Sequence, residues 1–104
     1  MLFLVTLTPR AEQSAIQDQR EAHHAWLAQQ TSRGRFIAAG PLASGQGGLI
    51  LAHGDQPSEL ETVLSSDPFV ALGLVDVTVQ AWTPAIRHDD FPARWAPGGT
   101  SLAG

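Results

Sequence analysis

Four histidines are the side chains of this chain best suited to moving a proton near neutral pH, and two of them stand together in the stretch REAHHAWL, residues 20–27. The segment reads as a helix, in which adjacent residues point about 100° apart, so His23 and His24 meet different surroundings. His23 falls on an apolar stripe with Ile16, Trp26 and Leu27, turned toward a sheet. His24 lies on the flank with Arg20 and Ala28, closer to solvent. Two readings of His23 stand side by side: a general acid or base, or a partly buried helix histidine bonded to a nearby acceptor. Arg20, one turn before His23, reads either as an anchor for an anionic substrate group or as a solvated side chain.

The remaining polar clusters carry weaker signals. Asp67-Pro68 is the pattern of a helix N-cap followed by proline at the first helical position, with Phe69 and Leu72 then facing the core. His53, before Gly54-Asp55, reads as a turn residue. His88-Asp89-Asp90 has no metal-ligand spacing: there is no H-E-x-x-H and no histidine pair at i, i+4, so no metal site is expected. Ser44 and Ser101 lack a nucleophile elbow. Gly45-Gln46-Gly47-Gly48 has neither the lysine of a phosphate loop nor a G-x-G-x-x-G spacing.

The elements that must position these residues follow from periodicity and punctuation. LFLVTLT, residues 2–8, reads as a buried strand closed by Pro9. A long helix runs from about Glu12 to Arg33 and ends at Gly34. RFIAAGPL (35–42) and GLILAHG (48–54) read as strands joined by a short Gly-rich link. A second helix is expected to open at Ser58, with Ser58 and Glu61 as a capping box. After one further helical turn, VDVTVQAW (75–82) alternates apolar and polar residues, as a strand with one wet face does. The order β-α-β-β-α-β predicts an α+β, ferredoxin-like protomer. Residues 1–85 form the expected domain, and 86–104 an extended tail whose Phe91 and Trp95 pack on something.

Composition removes several classes of function. Ten acidic residues face six basic ones, for a net charge of −4, and with no basic cluster the chain is no nucleic-acid binder. There is no Lys for a Schiff base and no Cys for a thiol nucleophile or disulfide, which fits a cytoplasmic protein. The apolar start has no basic flank and is too short to span a membrane. Charged residues make up only 15% of a domain with much surface per volume, which points to surface hidden in an oligomer. A sheet with helices on one side leaves its other face to cover, and Val75, Val77 and Val79 are the expected shared core.

In order and spacing, Arg20-x-x-His23, Gly34, Gly40-Pro41-Leu42, Asp67-Pro68-Phe69 and Trp82-Thr83-Pro84 together resemble the YCII-related (YciI-like) family of small α+β proteins. The resemblance covers roughly residues 1–85. It implies an antiparallel sheet with helices on one face, pairing as a dimeric α+β barrel, and a cleft between sheet and helices. It also implies a catalytic histidine–aspartate pair, here His23 and Asp67. Two departures are His24, where the family more often has an apolar residue, and the short Gly-rich link between the second and third strands. The resulting expectation is a cofactor-free, homodimeric enzyme acting on a small molecule by proton transfer, of lyase or isomerase type. Asp67 would fix the tautomer of His23, Arg20 would hold an acidic substituent, and Trp26 and Phe69 would supply apolar walls. A non-catalytic dimeric binding or accessory module is the alternative. A cofactor-independent oxygenase of aromatic substrates, as in the wider α+β barrel group, is a further alternative resting on fold analogy.

Overall fold

The computed structural model describes residues 1–103. Strand β1 (Leu2–Pro9) occupies the interior of a four-stranded antiparallel sheet of order β2-β3-β1-β4. Helix α1 (Gln13–Ser32) links β1 to β2 (Phe36–Pro41), and β2 turns directly into β3 (Gly48–His53). Helix α2 (Pro57–Leu64) and the single turn α3 (Pro68–Ala71) then lead to β4 (Val75–Trp82). This is the ferredoxin-like order that the periodicity predicts, with the second helical region broken in two at Asp67.

Local chemistry explains most boundaries. Helix α1 stops where Gly34 enters the left-handed region at φ 79°, with its N–H on the Thr31 carbonyl, a conformation that glycine adopts at little cost. The buried residues of α1 are His23, Trp26 and Gln30, a narrow stripe on an otherwise polar helix. Helix α2 begins one residue earlier than expected, and the capping box does not form. Its N-cap is Gln56 without a side-chain bond, and Pro57 occupies the first turn. Proline needs no N–H partner there and its fixed φ starts the helix by itself.

The pairing register sorts the sheet residues by face. Directly opposed residues share a face, so Val5 with Ile50 and Val79, and Leu7 with Gly48 and Val77, point to the helix side. Phe3, Val5, Leu7, Trp26, Phe36, Ile50 and Phe69 make the heart of the core there. Val77 and Val79 therefore lie on the helix side of the sheet, not on the face expected to pair with a partner. Val75 is buried in the core, whereas Val77 and Val79 are 37% and 40% exposed where helix cover on the edge strand ends. The helix-free face carries Leu4, Leu51 and Leu49, together with Gln80 and Trp82 of β4.

The tail is more structured than an extended segment. Strand β5 (Ile86–His88) pairs in parallel with β6 (Thr100–Leu102), and a short 3-10 turn covers Ala93–Trp95. Phe91 meets Trp95 edge to face at 5.4 Å, and the Arg94 guanidinium lies 4.7 Å from the Trp95 ring centre. Trp95 in turn packs beside His53, 6.1 Å away between ring centres, which docks the tail at the end of β3. No helix among the described residues is long and apolar enough to cross a membrane.

Candidate functional site

A cleft of about 550 Å³ opens between α1, the β2–β3 link and the ends of β1 and β4. Leu7, Ile50 and Val75 form its apolar floor, and Phe69 closes one side. Its size and apolar lining suit a small organic ligand. Helix α1 supplies the titratable groups, because the one-turn spacing of Arg20 to His23 and Arg20 to His24 turns all three toward the same opening.

His23 is buried at 7% exposure, and its Nδ1 lies 2.7 Å from Oδ1 of Asp67, which is fully buried. Asp67 is fixed first by its own backbone. It is the N-cap of α3, and its Oδ1 also accepts the Phe69 N–H at 3.0 Å. The carboxylate thus combines the capping role read from Asp67-Pro68 with the histidine contact implied by the resemblance. Its second oxygen, Oδ2, has no partner among the described residues. An acceptor-only carboxylate at Oδ1 selects the His23 tautomer with the proton on Nδ1. Nε2 makes no protein hydrogen bond among the described residues, so it is left as the basic nitrogen of a ring that lines the cleft.

Packing holds the imidazole as tightly as the carboxylate does. Phe69 stacks on the His23 ring with centroids 4.0 Å apart and planes 8° from parallel. Phe69 is at once cleft wall, platform for His23 and donor of the capping N–H. Trp26, expected as a second wall, is not in the cleft lining. It lies deeper along α1, edge-on to Phe36 at 5.3 Å, and its Nε1–H donates to Ser66 Oγ at 2.9 Å. A buried indole N–H needs an acceptor, and the segment before α3 provides it. The Trp26–Ser66 and His23–Asp67 bonds together tie α1 to the α2–α3 junction.

Arg20 and His24 are both exposed and both line the cleft, with the His24 ring 6.0 Å from that of His23. Sequence reasoning placed His24 on the Arg20 flank, and the flank proves to be the rim of the cleft. Gln46 and Gly45–Gly48 form the opposite rim. Gly47 is left-handed at φ 91°, and a Cβ there would fall 2.2 Å from the Leu7 carbonyl oxygen. Only glycine lets this link approach β1 so closely. Ser66 had no legible role in the sequence, because its partner is 40 positions away. His53 donates its Nε2–H to the Gly34 carbonyl at 2.6 Å, at the far end of β3 from the cleft. His88 bonds the Asp90 N–H within the tail.

The chain belongs to the YCII-related domain family, whose sequence model matches residues 1–83. The fold is that of a 5-chloro-2-hydroxyhydroquinone dehydrochlorinase from Burkholderia phenoliruptrix AC1100, solved in complex with 2,5-dihydroxybenzoquinone. That structure superposes with a TM-score of 0.68 at 24% identity, covering 81% of this chain and 95% of that one. No curated protein sequence matches.

Proposed function

We propose that the protein is a cofactor-free enzyme of lyase or isomerase type that moves a proton on a small, activated organic substrate through His23. The observation that carries this reading is the 2.7 Å contact between His23 and a fully buried Asp67 at the wall of an apolar cleft. Nε2 takes a proton from the substrate, and the imidazolium that forms is balanced by the Asp67 carboxylate. In an elimination, the electrons of the broken C–H bond, or of the O–H bond in a phenol that has ketonised at the carbon bearing the leaving group, form the new double bond as the leaving group departs with its own pair. His23 then returns the proton to solvent or to the product. General acid–base help of this kind is worth about 10² to 10⁴-fold, so positioning and the substrate's own activation supply the remainder. Arg20 holds an acidic substituent and Phe69 supplies the flat apolar wall. The working unit is a homodimer paired through the helix-free sheet face.

Loss of HCl from a chlorinated hydroxyhydroquinone, the reaction that the Burkholderia protein is named for, is elimination of this type and supports the class of chemistry. The test is chloride release from 5-chloro-2-hydroxyhydroquinone and a panel of related halogenated phenols, with native protein, His23→Gln and a protein-free control. Turnover by native protein that is lost in His23→Gln is the expected result. Binding across the panel without turnover would move the protein to a non-catalytic binding module. Oxygen consumption in place of chloride release would mark an oxygenase.

A further inference from the structure

The charge distribution around the cleft is lopsided in a way that the proton-transfer chemistry does not require. The chain carries ten acidic side chains and a net charge of −4, yet none of the ten lines the cleft among the described residues. The ionisable side chains that do line it are Arg20, His23 and His24. The one carboxylate close behind them, Asp67, is fully buried and engaged with His23. Arg20 and His24 are separated by one helical turn, so they form a single ridge along the exposed edge of α1. His24 ends that ridge beside the proton-transferring ring, at 6.0 Å between centroids.

Both side chains carry N–H donors and neither is held by a protein acceptor. Among the described residues neither makes a side-chain hydrogen bond or ion pair, although acidic residues lie within a turn of each on α1. Donors left free at the rim of an apolar cleft, on the same side as the catalytic imidazole, suit an oxyanion attached to a flat apolar body. The opposite rim adds the neutral Gln46 and backbone of the Gly-rich link, with no opposing charge.

We infer that Arg20 and His24 together form an oxyanion-anchoring rim, which makes the cleft selective for small aromatic anions, carboxylates or phenolates, over neutral analogues, with His24 a specificity-determining residue. The inference rests on the proposed function only for taking this cleft as the substrate site, and its test reads binding, not turnover. The rim fixes which end of the ligand faces out, and so presents the opposite edge of the ring to His23. An exposed charge pair contributes little by itself, but two donors converging on one oxyanion beside an apolar wall act jointly.

The test compares benzoate with benzamide, which match in shape and differ in charge, by calorimetric titration of native protein, Arg20→Gln, His24→Leu and Arg33→Gln, the last removing an exposed cation at the end of α1 outside the cleft. Native protein is expected to bind benzoate about tenfold more tightly than benzamide, which corresponds to about 1.4 kcal/mol. Arg20→Gln and His24→Leu are each expected to lose most of that ratio, and added salt to reduce it in native protein. Arg33→Gln is expected to keep it. Equal binding of the two probes, no benzoate binding at millimolar concentration, or an unchanged ratio in His24→Leu would each overturn the inference. A protein that shows the ratio but never turns over a substrate leaves the rim standing and removes the proton-transfer reading instead. Both substituted rim residues are exposed, so these variants retain the core packing and the ratio remains measurable.

Discussion

Replacing Asp67 separates its two roles. Asp67→Ala removes the acceptor for the Phe69 N–H, the cap of α3, at a cost of about 1 kcal/mol. It also leaves the His23 Nδ1–H without a partner in a site where that ring is 7% exposed, which costs about 1–3 kcal/mol. Removal of the orphaned Oδ2 offsets part of this, since that oxygen is already unpaired. Before that offset the sum is about 2–4 kcal/mol, a large fraction of a small domain's stability. Asp67→Asn behaves differently. If its amide oxygen caps Phe69, the NH₂ group is left in the buried Oδ2 position, which has no partner among the described residues. If the amide turns, its NH₂ donates to His23 Nδ1 and forces the proton onto Nε2, where no base remains. The wrong tautomer in a serine-protease triad costs about 10⁴ in rate, and a comparable loss is expected here. Urea denaturation measures the stability of both variants, ¹⁵N NMR of the His23 ring reports which nitrogen carries the proton, and chloride release reports activity. A native ring protonated on Nε2, or an Asp67→Ala variant destabilised by less than about 0.5 kcal/mol, would refute the pairing argument.

Two further outcomes follow from the packing. Leu51→Glu, on the helix-free face with Leu4 and Trp82, is expected to convert a dimer into a monomer by sedimentation while leaving the helix-side core intact; a native protein that sediments as a monomer at all concentrations removes the dimer. Gly47→Ala places a methyl group 2.2 Å from the Leu7 carbonyl in a left-handed backbone, so the β2–β3 link must shift. A loss of about 2 kcal/mol or more in urea and weaker benzoate binding are expected, and unchanged values for both would show that the link is not held as described.

The elements were legible in the sequence because each is a local matter. The strand over residues 75–82 was readable from its alternation, and the end of α1 from Gly34, since both depend on neighbouring residues alone. The stripe that buries His23 with Trp26 follows from helical spacing in the same way. At the start of α2 two local signals compete, and Pro57 prevails over the Ser58–Glu61 pattern. Which face of β4 meets the helices was not legible. Alternation says that Val77 and Val79 share a face, but only their register against Val5 and Leu7 says which one.

Helical spacing places a histidine on the inner edge of a long helix, and Asp67-Pro68 marks the cap of a short one, without reference to any distant residue. That these two meet is a matter of chain folding, since 44 positions separate them and nothing local brings Oδ1 within 2.7 Å of the ring. Folding likewise makes Trp26 tie α1 to the α2–α3 junction instead of lining the cleft, because an indole N–H goes where an acceptor is, and Ser66 stands there. The rim on which Arg20 and His24 stand has the same origin. Their one-turn spacing is written in the sequence, but a helix edge becomes the lip of a cleft only when the sheet and the Gly-rich link close the other sides.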